Sequence, residues 1–388
     1  MTKKYKIFSS ISSLICLYSY GAALTLTHAC NSETSTIFHL SKSRMGYLYV
    51  CLYLGFFFAS LLTGAIADRR GKLPVISFGV AGMVIGLLSF VFTENYYIAM
   101  FSMALIGLGG GATETNVTGY IGDVWTGKRR NTMLNFSQTA FGFGAFCGPS
   151  LAAVSMNLSG NSHLAFYAVS VIGAVGFVMS LAVLRDRQET PKGGEYVPWK
   201  YILGDRYIIF MMLCLAFYCG IESGFSEWAG VYYKEIFSAG GEMCAFSVSV
   251  FWLGLTVGSF VLGILSKYMK RDKAVITACF GVLAGFFLWT SYIYSLSFIA
   301  SFWIGFCLGP IFGTVLGLGT EKIPAHSGAV SSVLFGGAYL GGAFFPALIG
   351  INADIFGIKY SVFEIPLLTL CIILIFINFK KIRMGDTL

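Results

Sequence analysis

Twelve long apolar segments alternate with short polar stretches along the whole chain. A helix that crosses a membrane needs about 20 predominantly apolar residues, and each segment is near that length. The segments are residues 8–29, 45–67, 73–92, 97–122, 132–156, 165–184, 206–231, 246–266, 274–291, 297–320, 328–350 and 361–379. The strictly alternating segments of a membrane β-barrel are absent from the sequence. The pattern predicts an all-α membrane protein with twelve transmembrane helices.

The composition is unlike that of a soluble protein. Of the 388 residues, 56% are hydrophobic and only 11% are charged, and the mean hydropathy is +0.75. A soluble domain carries about 25% charged residues, so this chain lacks the polar surface that water requires. The lipid bilayer is therefore its predicted environment.

Basic residues concentrate on one side of the predicted membrane. With both termini cytoplasmic, 22 of the 26 Lys and Arg residues fall in inner segments, and the outer loops keep Lys42, Arg44, Lys234 and Lys359. An excess of basic residues in cytoplasmic loops orients helices during insertion. We therefore expect a multi-pass cell-membrane protein with both termini inside. The formal net charge of +8 follows from this topology and does not indicate nucleic-acid binding.

The sequence also predicts two halves related by an internal repeat. The longest polar stretch, 185–205, follows the sixth segment and separates two predicted six-helix bundles, 1–184 and 206–388. The halves align at an offset near 198 residues. Matching positions are Gly64 with Gly263, Gly107 with Gly305, Asp123 with Glu321, and Gly144…Pro149 with Gly342…Pro346. Parallel repeats of this kind build a central substrate site in secondary transporters.

Two acidic residues stand out as deep in predicted helices, Glu114 in helix 4 and Glu222 in helix 7. An ionisable residue inside a membrane is a functional candidate by default, because its charge is costly there. Each carboxyl group could carry a proton or accept hydrogen bonds from a hydroxylated substrate. The alternative is a carboxylate that a neighbouring Ser, Thr or Asn satisfies and that only ties helices together.

The polar segment between predicted helices 2 and 3 has the sequence Gly64-Ala-Ile-Ala-Asp68-Arg69-Arg70-Gly71-Lys72. It resembles the loop between helices 2 and 3 of the major facilitator superfamily, which implies a secondary transporter fold. The charges lie on the same predicted side as Asp123, Arg129 and Arg130 at the end of helix 4. By resemblance, this surface works as a latch. An aspartate and an arginine form a salt bridge when the transporter is open to the outside, and they separate when it opens to the inside. The topological alternative is that the basic residues merely hold the loop inside.

Two helix motifs narrow the resemblance. Helix 4 carries Gly107, Gly109 and Gly111, then Glu114 three residues later, and helix 7 carries Gly220, Glu222, Trp228 and Tyr232. Both resemble the fucose–galactose–glucose:proton symporter branch of the superfamily. That branch has an Asn four residues after the helix 4 acid, where this chain has Thr118, with Asn116 two positions earlier. The resemblance implies that Glu222 and Trp228 face the substrate cavity.

The remaining candidates for the cavity are polar or aromatic residues that sequence alone does not orient. His28 lies near the outer end of helix 1 and is either titratable in the site or an interfacial hydrogen-bonding residue. Gln138 and Asn135 on helix 5 could bind sugar hydroxyls or a neighbouring helix. Trp252 and Tyr339 could stack on a sugar ring, or pack like other aromatic residues of this chain.

These features predict a proton-coupled symporter of a small polar metabolite, with a hexose as the first choice. A proton-driven exporter of a drug or metabolite is the alternative, because Gly142, Gly144, Gly148 and Pro149 on helix 5 resemble a motif of proton-coupled drug exporters. A non-transporting sensor usually has a longer cytoplasmic tail or loop. An enzyme is not expected, since no His-Glu-x-x-His, Gly-x-Ser-x-Gly or metal-ligand cluster occurs.

The expected partners are protons, a small-molecule substrate and the lipid bilayer, with no cofactor and no metal. The chain is expected to be monomeric. Cys30 and Cys244 fall near outer helix ends, where they either pair in an oxidising compartment or remain separate thiols.

Overall fold

A computed structural model describes residues 2–126, 128–185, 199–265, 270–323 and 327–378. Within these ranges the chain is helical and no strand occurs. Twelve of the helices are long and apolar enough to cross a membrane. The predicted all-α class with twelve membrane helices is therefore confirmed.

The spanning helices are numbered α1 to α12 in chain order. The first six are α1 (Lys3–Ala29), α2 (Lys42–Arg70), α3 (Lys72–Phe92), α4 (Tyr96–Val124), α5 (Lys128–Ser159) and α6 (His163–Arg185). The second six are α7 (Arg206–Phe237), α8 (Gly241–Leu265), α9 (Arg271–Trp289), α10 (Tyr294–Lys322), α11 (Ser327–Phe356) and α12 (Glu364–Ile377). The twelfth span, Ile358–Ile377, consists of the short helix Ile358–Ser361 followed by α12. Two other short helices, Asn31–Ile37 and Trp199–Ile202, lie between spanning helices.

Polar caps set several helix starts. The side chain of Thr2 accepts a hydrogen bond from the Tyr5 amide, so α1 begins five residues before the apolar segment that predicted it. Asn95 and Asp205 cap α4 and α7 in the same way. A cap satisfies backbone N–H groups that have no partner inside the helix. Hydropathy detects the apolar part of a helix and not these polar ends.

The described residues form two compact units. Of the described residues, unit 1 takes those within 2–40, 47–185 and 240–249, and unit 2 takes those within 41–46, 199–239 and 250–378. The predicted boundaries of the two six-helix bundles, at residues 184 and 206, divide the chain into two continuous halves. They stay a prediction. The predicted linker, 185–205, lies mostly outside the described residues.

Both units have the same internal packing pattern. In unit 1, α1 packs against α4, α5 and α6, and α3 packs against α4 and α6. In unit 2, α7 packs against α10, α11 and α12, and α9 packs against α10 and α12. Adding six to each helix number of unit 1 gives these contacts of unit 2, as an internal repeat requires.

Glycines bring the helices of each unit into backbone contact. A Cβ added at Gly107 of α4 would lie 2.0 Å from the Leu52 carbonyl oxygen of α2, and one at Gly305 of α10 would lie 2.1 Å from that of Phe251 in α8. The two contacts are displaced by 198 and 199 residues. Small residues allow such close approach where the bilayer offers no hydrophobic driving force.

The first residues of α2, which fall within the segment 41–46 of unit 2, are held by an acidic cap from α11. Asp354 of α11 accepts hydrogen bonds from the backbone amides of Lys42 and Ser43, at 2.9 and 2.8 Å, and from the Ser43 hydroxyl. The Lys42 ammonium lies 2.9 Å from the Glu235 carboxylate of α7. A carboxylate at a helix N-terminus is favoured by both the free amides and the helix dipole.

The glycine contacts predict a difference between two alanine substitutions in α10. Gly305→Ala forces a methyl group against the Phe251 carbonyl and should lower stability by about 1–3 kcal/mol, as overpacking does. Gly313→Ala is the matched control, because an added Cβ there has no atom within 4 Å. It should leave stability unchanged or raise it by up to about 1 kcal/mol through helix propensity. Thermal unfolding in detergent measures both, and equal melting temperatures would contradict the packing.

Candidate functional site

Glu114 lies half-buried on α4 and is held by a tyrosine of α1. The Tyr20 hydroxyl donates a hydrogen bond to the Glu114 carboxylate oxygen Oε2 at 3.0 Å. The Tyr20 ring packs edge-on against Phe56, at a centroid distance of 5.6 Å, and at a tilt of 33° against Phe141, at 5.3 Å. These contacts join α1, α2, α4 and α5 of unit 1 around one carboxyl group.

Glu222 lies half-buried on α7 and also has a tyrosine partner. Tyr218, one helical turn earlier, interacts with the Glu222 carboxyl group. The Tyr218 ring is fully buried and packs against Phe312 of α10 at a centroid distance of 5.6 Å. Residues four apart on a helix share one face, so the two groups are aligned by the helix itself.

The two tyrosines are equivalent positions of the repeat, because Tyr20 and Tyr218 are 198 residues apart. The position that corresponds to Glu114 in the second half is Phe312, which packs on Tyr218 as Glu114 bonds to Tyr20. In unit 2 the carboxyl group comes instead from Glu222 on the tyrosine's own helix. Sequence reasoning missed both tyrosines, although the repeat offset pointed to them as a pair.

A third acidic residue is buried more completely than the two predicted ones. Glu227 of α7 is 0% exposed, whereas Glu114 and Glu222 are half-buried. It belongs to the stretch 223–233, in which every residue is buried. The expectation that only two acids lie deep was therefore incomplete. The signal was present, since position 227 lies inside the predicted segment 206–231.

The three predicted aromatic residues of unit 2 are all buried. The Trp228 indole donates to the Pro346 carbonyl of α11 at 2.9 Å, and the Trp252 indole donates to the Ser226 hydroxyl at 2.8 Å. Tyr339 of α11 is 5% exposed. The two indole bonds tie α7 to α11 and to α8.

The predicted polar residues of unit 1 separate into packed and accessible ones. The Asn116 amide donates to the Thr63 hydroxyl at 3.1 Å and to the Ala112 carbonyl at 2.8 Å, so it ties α4 to α2. Thr118 is half-buried and Gln138 is exposed. The side chain of Asn135 lies outside the described part of the structure.

His28 lies among aromatic side chains of unit 1. It is 1% exposed, and its ring lies 5.4 Å from that of Tyr49 and 6.4 Å from that of Tyr53, between centroids. Tyr49 donates to the Thr27 carbonyl at 3.0 Å, which holds α2 against α1. The histidine therefore lies in the packed interior of unit 1.

Neither of the two outer cysteines forms a disulfide bond. Cys30 and Cys244 are both buried. Burial raises the pKa of the Cys30 thiol, and the Glu33 carboxylate raises it further, which favours the unreactive protonated form. Among the residues that the structure describes, no group of three His, Cys, Asp or Glu side chains could hold a metal ion.

A family model described as the Major Facilitator Superfamily matches residues 7–379. The chain belongs to this superfamily. Its twelve membrane helices are those of a multi-pass membrane transporter, and it is not an enzyme.

Among relatives within the superfamily, the chain is similar to the glucose/mannose transporter GlcP of Bacillus subtilis (strain 168). The two are 25% identical over 346 residues, which cover 84% of this chain and 83% of GlcP. It is also similar to Multidrug resistance protein 1 of the same organism, at 23% identity over 189 residues, or 48% of each chain.

The fold is shared with a solved major facilitator structure. It resembles a bacterial homolog of the human lysosomal transporter Spinster, solved in an inward-facing and unoccupied conformation. The TM-score is 0.77, with 12% identity, and the match covers 100% of this chain and 99% of that one. At this identity the likeness supports the fold alone.

The superfamily loop after α2 contains an ion pair that sequence reasoning did not select. The ammonium of Lys72, the first residue of α3, lies 2.5 Å from an Asp123 carboxylate oxygen at the end of α4. The side chains are 23% and 26% exposed, so water screens the pair only partly. In unit 2, Arg271 and Glu321 form the corresponding pair at 2.6 Å, with 48% and 61% exposure.

The other predicted latch residues are mostly exposed. Arg69, Arg70, Arg129 and Arg130 are exposed, and the side chain of Asp68 lies outside the described residues. The predicted latch therefore stays a prediction. An added Cβ at Gly64 would meet no atom within 4 Å.

Gly71 separates α2 from α3. Its φ of 88° lies in the left-handed region, which residues with a side chain rarely adopt. The glycine of this motif therefore makes the sharp break between the two helices.

We predict that the two repeat-related ion pairs differ in strength. A double-mutant cycle with Lys72→Met and Asp123→Asn should give a coupling energy of about 1–2 kcal/mol. The matched cycle with Arg271→Met and Glu321→Gln should give less than about 1 kcal/mol, as exposed pairs do. Melting temperatures in detergent give both energies, and a stronger Arg271–Glu321 coupling would contradict the prediction.

Proposed function

We propose that the protein is a proton-coupled symporter that imports a hexose or a similar small polar metabolite by alternating access. The Tyr20–Glu114 hydrogen bond, with its counterpart Tyr218–Glu222, is the observation that carries the proposal. The similarity to GlcP over 84% of the chain supports a sugar as the substrate. The distribution of basic residues supports cytoplasmic termini.

The chemistry of a tyrosine beside a carboxyl group suits proton exchange. A phenolic hydroxyl donates to a carboxylate and accepts from a carboxylic acid, so its hydrogen bond persists in both protonation states. A carboxyl group inside a membrane is costly when it is charged, and protonation removes that cost. Glu114 and Glu222 can therefore gain and lose a proton without repacking their neighbours.

Each unit, taken by itself, offers polar side chains that we propose as substrate contacts. Glu114 and Glu222 would accept hydrogen bonds from sugar hydroxyls when they are ionised. Thr118 and Gln138 would complete the polar contacts. The polar atoms of three further residues bond to neighbouring helices. Asn116, Trp228 and Trp252 would therefore hold the helices around the site rather than contact the substrate.

Glutamine variants in proteoliposomes test the coupling. The purified protein, with an alkaline interior, should accumulate radiolabelled glucose or mannose, and a proton ionophore should abolish accumulation. Glu114→Gln or Glu222→Gln should lose accumulation by more than about tenfold, which is a change of about 1.4 kcal/mol. In the variant that replaces whichever glutamate carries the proton, exchange of internal sugar for external sugar should still occur.

Matched variants make the result specific. Tyr20→Phe and Tyr218→Phe keep the ring packing and remove only the hydroxyl, so each should weaken accumulation while the protein stays folded. Glu94→Gln, at an exposed position between α3 and α4, should change nothing. Accumulation that persists in both glutamine variants would reject proton coupling through these residues.

The second candidate is a proton-driven exporter, which the likeness to Multidrug resistance protein 1 favours. The glycines of the helix 5 motif have another role in unit 1. Added Cβ atoms at Gly144 and Gly148 would lie 2.1 and 2.3 Å from the Tyr18 and Ala22 carbonyl oxygens of α1. Close packing therefore accounts for them without export. Uptake of a cationic dye such as ethidium by inside-out vesicles, with no sugar transport, would favour the exporter.

A further inference from the structure

A groove opens on the surface of unit 1 between α2, α3 and α4. Its volume is about 350 Å³, and all fourteen residues that line it belong to these three helices. The wall on α2 is formed by Ala59, Leu62, Thr63, Ile66 and Arg70. This spacing of three or four residues places them on one face of the helix. We call it the α2–α4 groove.

The groove exists because its walls carry small residues. Gly79 and Gly82 on α3 and Gly109 on α4 line it. At Gly82 an added Cβ would meet only the Leu105 Cδ1 atom, at 3.7 Å, so this position opens directly into the groove. The rim includes Phe78, which is 77% exposed. An apolar groove with an exposed aromatic rim is suited to a hydrocarbon chain rather than to a polar solute.

The length of the groove corresponds to one leaflet of a bilayer. Its α2 wall runs from Ala59 to Arg70, which at about 1.5 Å per residue is about 16 Å. The hydrocarbon core of a bilayer is about 30 Å thick, so each leaflet contributes about half of that. The groove therefore reaches from the end of α2 to near the middle of the membrane.

Arg70 is the only charged residue in the lining of the groove. It is the last residue of the α2 wall, at the C-terminal end of the helix. Its side chain is exposed and, within the part of the chain that the structure describes, it makes no ion pair. The neighbouring Arg69 is also exposed but does not line the groove. One cation therefore lies at the membrane-surface end of a groove whose lining is otherwise apolar except for Thr63.

We propose that the α2–α4 groove binds an anionic glycerophospholipid of the bilayer, with one acyl chain along the groove and the phosphate on Arg70. A guanidinium group binds phosphate through two parallel hydrogen bonds. Basic pockets between membrane helices bind anionic lipid headgroups. The site is separate from the two glutamates and does not depend on the transported substrate.

Lipid-dependent melting tests the site. The full-length protein in dodecyl maltoside is heated with added dioleoyl phosphatidylglycerol or dioleoyl phosphatidylcholine at equal concentrations. A ligand that binds only the folded state raises the melting temperature by mass action. Phosphatidylglycerol should raise it more than phosphatidylcholine, and this difference should fall below about half in Arg70→Gln.

Two pairs of variants distinguish the groove from general charge and bulk. Arg69→Gln, which removes the same charge one residue away, should keep the difference between the lipids. Gly82→Leu should fill the groove and abolish the difference, whereas Ile85→Phe, at an exposed α3 position outside the groove, should keep it. Equal stabilisation by both lipids, an equal loss in Arg69→Gln, or an unchanged difference in Gly82→Leu would overturn the proposal.

Discussion

The bilayer offers no hydrogen-bond partners, and the structure is organised around that constraint. Backbone groups are satisfied within helices, so the helices associate through close packing and a few internal polar bonds. Glycines press α4 on α2 and α10 on α8 until backbones touch. Buried indoles and amides bond to carbonyls or hydroxyls of adjacent helices, as Trp228 does to Pro346. Glu114 and Glu222 differ from these groups because they remain half-buried, each beside a tyrosine.

The repeat preserves packing more strictly than chemistry. Equivalent helices meet at equivalent glycines, and ion pairs recur at the same ends of α3–α4 and α9–α10. The tyrosine is also kept, whereas its carboxyl partner has moved from α4 in unit 1 to α7 in unit 2. A duplicated framework can thus hold two acidic groups in different settings, which would let one respond to protons and the other to cargo.

The sequence predicted the helices and the repeat well, because hydropathy and glycine spacing are properties of the chain itself. It did not predict which residues meet. Tyr20 is one of many aromatics, and only the position of α1 beside α4 makes it the partner of Glu114. Lys72 belongs to the loop motif, but the motif does not show that it pairs with Asp123 across the turn at Gly71. Glu227 lies near the end of the predicted segment 206–231, and hydropathy does not show that α7 continues to Phe237 with residues 223–233 all buried.

The exchange of short segments between the units has a consequence for how the molecule can be divided. Residues 41–46 count with unit 2, where Asp354 caps them, and residues 240–249 count with unit 1. A cut in the chain between the sixth and seventh helices would therefore not release either unit complete. Each half expressed alone would lack a short segment that belongs to its own compact unit.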